Sequence, residues 1–168
     1  DFAFYRTDNY KQIWRSTEGQ YAAISSMVVA NVDDDPQLEL VFCGVKAGDL
    51  TTTGSITGGI QNDQEQEVAL SRLFVYDCLS YIDEWSGEQG LAAQSILVGD
   101  LDADGILEVV LNSGFVVDSR TLVVEWRYTA GFSQKSFGHK IGYADVDGDG
   151  IPELIGEFES STAPRRLI

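Results

Sequence analysis

Asp145-Val-Asp147-Gly-Asp149-Gly-Ile-Pro-Glu153 decides the fold, because the chain writes it three times. The other copies are Asp100-Leu-Asp102-Ala-Asp104-Gly-Ile-Leu-Glu108 and Asn31-Val-Asp33-Asp-Asp35-Pro-Gln-Leu-Glu39. Oxygen-bearing side chains recur at positions 1, 3, 5 and 9 of each. A loop of that pattern can wrap a hard cation in carboxylate oxygens, with a backbone carbonyl near position 7. Each copy lies between apolar runs that read as strands. Three aligned copies mark a repeat protein rather than a chance acidic turn.

The sequence around the loops repeats in step with them. Tyr5 to Trp14 aligns without gaps to Tyr76 to Trp85, and Val117 to Trp126 fits the same frame. Each reads as a strand, a tight polar turn and a second strand ending in Trp. Before each loop an apolar strand is expected after Tyr21-Ala-Ala, Leu91-Ala-Ala or Phe137-Gly-His. After each loop a further β-rich run follows, from Leu38, Leu107 and Leu154. The unit is therefore strand A, acidic loop, strand B, strand C, turn and strand D with its Trp. Four antiparallel strands in roughly 40–50 residues is the size of a propeller blade.

These phases divide the chain into residues 1–16 (strands C and D of a first blade), 17–87 (a complete blade), 88–128 (a second complete blade) and 129–168 (strands A and B of a last one). The fold expected is all-β, with β-propeller-type four-stranded antiparallel blades amounting to about three blade-equivalents. Trp14 and Trp85 are 71 positions apart. The excess is residues 44–67, whose Thr/Ser/Gly-rich centre reads as an exposed insertion between strands B and C. Asp1-Phe2-Ala3 and Arg166-Leu167-Ile168 both match Arg72-Leu73-Phe74. The chain thus starts and stops at one phase of the repeat. It reads either as a piece of a longer propeller or as a unit whose half-blades complete one another head to tail, which would build a filament.

Composition narrows the partners. The net charge is -16, from 27 acidic and 11 basic residues among 168. That balance argues against a nucleic-acid partner, which needs basic patches. No apolar run approaches a membrane span. Bound cations would offset the repulsion inside the loops, so stability is expected to depend on the metal. Cys43 and Cys78 fall toward opposite ends of the strand B–strand C pair and are not expected to bond to each other.

The phrase Phe137-Gly138, followed by Ala144-Asp-Val-Asp-Gly-Asp-Gly-Ile-Pro-Glu-Leu-Ile155, resembles the FG-GAP repeat. That is the calcium-bearing repeat of integrin α-subunit propellers and of bacterial FG-GAP/VCBS-type propellers. Val98 to Val110 resembles it nearly as well, and Ala30 to Val41 is a degenerate copy. The resemblance implies a β-propeller with a cation in the loop between strands A and B of each blade. The first copy departs from the pattern with Asn31 at position 1 and Pro36 at position 6, and Pro removes a turn-permissive Gly.

The metal ligands expected are Asn31, Asp33, Asp35 and Glu39, then Asp100, Asp102, Asp104 and Glu108, then Asp145, Asp147, Asp149 and Glu153. They imply up to three Ca²⁺. Mg²⁺ prefers tighter octahedral sites, and the loops hold no Cys or His for Zn²⁺. Trp14, Trp85 and Trp126 sit at one phase, which points to packing between blades rather than to sugar stacking. His139 is the only histidine, and no nucleophile motif surrounds a serine. The chain therefore reads as a calcium-binding, non-enzymatic protein outside the cell, where calcium keeps such sites filled. Self-association, or another protein or glycan at the cell surface, is the expected partnership. The alternative is a segment of a larger propeller with carbohydrate-binding or polysaccharide lyase-like activity.

Overall fold

A computed structural model describes residues 1–33, 35–52, 69–128, 136–160 and 163–167, and β-strands dominate them. The strands are β1 (Ala3–Tyr5), β2 (Gln12–Arg15), β3 (Tyr21–Ala30), β4 (Glu39–Lys46), β5 (Arg72–Asp77), β6 (Asp83–Ser86), β7 (Ile96–Gly99), β8 (Glu108–Leu111), β9 (Phe115–Asp118), β10 (Val124–Arg127), β11 (Ile141–Ala144), β12 (Glu153–Ser160) and β13 (Ala163–Leu167). One short helix, α1 (Ala47–Thr52), follows β4. All pairings are antiparallel between chain neighbours. They form the sheets β1-β2, β3-β4-β5-β6, β7-β8-β9-β10 and β11-β12-β13. Among the described residues these sheets do not close into a barrel or ring.

The strands and turns recur position by position. The turn between third and fourth strands is closed by the amides of Tyr10, Tyr81 and Leu122, which donate to the carbonyls of Arg6, Asp77 and Asp118 at 2.9, 3.0 and 2.8 Å. Those three donors hold φ of 56°, 61° and 58°. Left-handed backbone at a residue with a large side chain is uncommon, and its return at one phase shows that the repeat is structural. Across the ladder Phe4, Val75 and Val116 face Trp14, Trp85 and Trp126. Beside each Trp the register slips by one residue, which leaves Ile13, Glu84 and Glu125 as the extra residue of a β-bulge. In the last sheet Leu167 faces Glu157 as Leu73 faces Cys43. This is the phase that the match of Arg166-Leu167 to Arg72-Leu73 predicts.

Alternate residues of the central strands face different neighbouring sheets, as the two-residue period of a strand requires. Phe42, Phe74 and Tyr76 join Phe2 and Tyr21 in an aromatic core against β1-β2. Val41, Cys43, Leu73 and Val75 turn the other way and meet Val109, Leu111 and Val117 of the next sheet. Val110 and Val116 then meet Phe137, Ile141 and Leu154 of the last. The middle sheets are thus buried on both faces. A fully covered side chain such as Phe42 contributes roughly 2–3 kcal/mol. The first strands of successive sheets lie nearest each other, β3 beside β7 and β7 beside β11.

One sequence expectation shifts. Strand B of the first complete unit does not stop at Cys43. β4 runs on through Gly44 and Val45 to Lys46, and α1 follows. Val45 is 2 % exposed, so it belongs to the core and not to an exposed loop. Gly44 serves close strand approach, since a Cβ there would stand 2.6 Å from the Ala23 carbonyl oxygen. The rest of the expected insertion, residues 53–67, lies outside the described residues. Both cysteines are free, Cys43 buried and Cys78 half-buried.

Candidate metal centre

Each acidic loop leaves a first strand and enters a second: β3 to β4, β7 to β8, β11 to β12. One hydrogen-bond pattern shapes all three. The position-9 glutamate folds back, and its Oε2 accepts the amide of position 2. The distances are 2.7 Å for Val32 to Glu39, 2.5 Å for Leu101 to Glu108 and 2.8 Å for Val146 to Glu153. The position-3 carboxylate accepts the amide of position 5, in Asp33, Asp102 and Asp147. The position-5 carboxylate accepts the amide of position 7, in Asp35, Asp104 and Asp149. Such side-chain to backbone bonds are the reason aspartate suits tight loops.

Positions 4 and 6 take positive φ in the second and third loops: Ala103 and Gly105, then Gly148 and Gly150. The position-6 amide then reaches the position-1 carboxylate, Gly105 to Asp100 at 3.1 Å and Gly150 to Asp145 at 2.9 Å. The first loop cannot do this. Pro36 has no N–H and a φ fixed near −65°. Asn31 instead donates its side-chain amide to the Asp35 carbonyl at 2.6 Å.

The loops gather carboxylates. Asp100, Asp102 and Glu108 bring oxygens within 4.8 Å of one another, as do Asp145, Asp147 and Glu153. In the first loop the triad is Asp33, Glu39 and Glu84, and Glu84 comes from β6. Oxygens so spaced fit round a cation held at roughly 2.3–2.6 Å from each. Asp35, Asp104 and Asp149 stand outside these triads, and Asn31 turns its amide group to the backbone.

Burial sharpens the need for a positive charge. Glu39 is 0 % exposed, and its Oε1 has no hydrogen-bond partner among the described residues. A buried carboxylate oxygen left alone costs several kcal/mol unless a proton or cation answers it. Burial pushes the Glu39 carboxyl up from its ordinary range, with Asp33 and Asp35 adding repulsion. Burial likewise raises Glu108 to about 7, helped by Asp102, Glu125 and Asp100. Oxygen-only triads of this kind suit a hard divalent ion.

Sequence reading missed Glu84 and its counterpart Glu125. Burial raises both carboxyls, and the next causes are acids of the loops and turns: Asp33 and Asp77 for Glu84, Asp118 and Asp102 for Glu125. The available signal was the repeated Glu-Trp pair, Glu84-Trp85 and Glu125-Trp126, in the two complete units. Elsewhere, His139 Nδ1 lies 2.8 Å from Gln94 Oε1. No protein-family model matches the chain, and no curated protein or solved structure matches it significantly. No helix among the described residues is long and apolar enough to cross a membrane.

Proposed function

We propose that this chain is a calcium-binding array of propeller-type blades, of the FG-GAP kind its motifs resemble, acting outside the cell in structural assembly or adhesion. One observation carries the reading: three loops that share the same glutamate-to-backbone bond each stand at a group of three carboxylate oxygens within 4.8 Å, the first with Glu84 from β6. Left without a cation, such groups repel one another. With one, the loop that joins the first two strands of a sheet is stapled. The role is structural, because each loop ties its own sheet.

The blade reading has its own support. Two sheets have four antiparallel strands in chain order, and first strands approach one another while successive sheets share cores. Assembly or adhesion is favoured by apolar side chains at the turn end of the first complete sheet. Leu79, Ile82 and Leu38 are 70, 59 and 52 % exposed there, and the Cys78 amide bonds the Leu38 carbonyl. Exposed apolar groups near one another mark contact surfaces more often than chance.

Calorimetric titration of chelator-stripped protein with CaCl₂, repeated with MgCl₂, tests the metal. Uptake of two to three Ca²⁺ with a rise in melting temperature, and a weaker response to Mg²⁺, is the expected result. No heat and no shift in melting temperature with Ca²⁺ would end this reading.

A further inference from the structure

The first loop has lost the acid that opens the other two. Position 1 is Asp100 in the second loop and Asp145 in the third, and each belongs to its carboxylate triad. Position 1 of the first loop is Asn31, and its side chain serves the Asp35 carbonyl. Yet the first loop still has three carboxylates within 4.8 Å, because Glu84 stands where the missing acid would be counted.

Glu84 arrives there by backbone geometry. In the ladder between β5 and β6, Val75 faces Trp85 and Tyr76 faces Asp83. Glu84 is the residue left between them, and a bulge re-aims its extra side chain out of the sheet's ordinary alternation. The neighbouring third strand ends at Asp77, and the Cys78 amide that follows donates to the Leu38 carbonyl of the loop at 3.0 Å. That bond draws the loop toward the end of the sheet on which Glu84 lies. A further observation points to a ligand: Glu39, wholly buried in this triad, has an oxygen with no partner among the described residues.

We infer that Glu84, from the bulge of the fourth strand, replaces the acid missing at Asn31 and completes a cation site with Asp33 and Glu39. The inference rests on the calcium reading of the loops. It adds that this one site joins two elements distant in sequence. The cation bridges the loop between β3 and β4 to the edge strand β6, whereas the other triads lie within single loops.

The test is calcium titration of the full chain, following both heat and melting temperature. Glu84→Gln should weaken one site at least about tenfold and leave the other two unchanged. Adding Asn31→Asp to Glu84→Gln should restore that site, because the acid returns at position 1. Glu125→Gln, at the matching bulge, should leave the number of ions and the first site unchanged, because the second loop has its own position-1 acid. If Glu84→Gln binds calcium as the parent does while Glu39→Gln loses one ion, Glu84 is no ligand and the loop reading survives. If the parent binds no calcium, both fall together. A Glu84→Gln chain that melts lower in EDTA by as much as in calcium would mark a structural role for the glutamate and overturn the inference.

Discussion

The rings of Trp14 and Tyr81 lie parallel, 4.9 Å between centroids and 4° between planes. Trp14 lies in β2, at the fourth-strand position of its unit, while Tyr81 is the left-handed residue in the turn of the next sheet. Trp126, two units on, stacks at 5.6 Å and 10° on Phe137, which precedes the first strand of the last sheet. Trp14 and Trp126 thus clasp successive sheets together. Trp14→Ala should cost about 2–4 kcal/mol in chemical denaturation. Tyr10→Ala, at the same phase as Tyr81 but 83 % exposed, should cost far less. Equal losses would mean that the stack contributes nothing beyond the turn.

Asp102 and Asp147 are position 3 of their loops, in a carboxylate triad and bonded to the position-5 amide. Each substitution to Ala removes a proposed ligand and one weak loop bond. In calcium both variants should melt several degrees below the parent. In EDTA the gap should shrink to what one exposed hydrogen bond is worth, about 0.5–1.5 kcal/mol. Scanning calorimetry in the two buffers decides it, and gaps of the same size in both would remove these aspartates from the ligand set.

Glu108 supplies a pH dependence with a definite sign. Burial raises its carboxyl from 4.5 to about 7, so the folded, metal-free chain holds a proton that the unfolded chain gives up. Its stabilising contribution is complete below 4.5 and is lost as pH climbs through about 7. The loss amounts to roughly 3 kcal/mol at most. On the calcium reading a cation replaces that proton, so calcium should bind more tightly as pH rises across the same window, releasing a proton below it. Melting temperatures of the stripped protein between pH 5 and 8 should fall, and those in calcium should hold level or rise. A stripped protein that gains stability over that range would contradict the buried, protonated Glu108.

The repeat was legible because its markers are spaced in sequence as they are in space. The loop acids, the Trp and the strand phases are local, and the turns at Tyr10, Tyr81 and Leu122 fall where gapless alignment puts them. Glu84 was not legible as a site residue. It depends on a bulge, and a strand of alternating polar and apolar residues looks the same with or without one. The run from Gly44 to Lys46 misled for a related reason. Glycine and a Thr-rich sequel suggest a loop, whereas here glycine allows β4 to lie against Ala23. The triads were visible as acids but not as triads, since which of four positions converge depends on how the loop folds back through its glutamate.

Two glycines separate conformational strain from lack of room. Gly138 and Gly90 both hold positive φ, +86° and +95°. A Cβ on Gly90 would meet nothing within 4 Å. A Cβ on Gly138 would stand 2.0 Å from the Glu157 carbonyl oxygen, which is backbone and cannot swing aside. That carbonyl belongs to β12, and the Glu157 amide bonds the Phe137 carbonyl at 2.8 Å, so the Phe-Gly pair is laid flat on the strand. Gly90→Ala should therefore cost only the strain of left-handed backbone, about 1–2 kcal/mol. Gly138→Ala should cost that and more, because β12 must move away from Phe137 and open the core that Phe137 shares with Val110 and Val116. Denaturation of the two variants side by side measures the difference. If they lose the same stability, the close approach of Gly138 to β12 is not what its glycine is for.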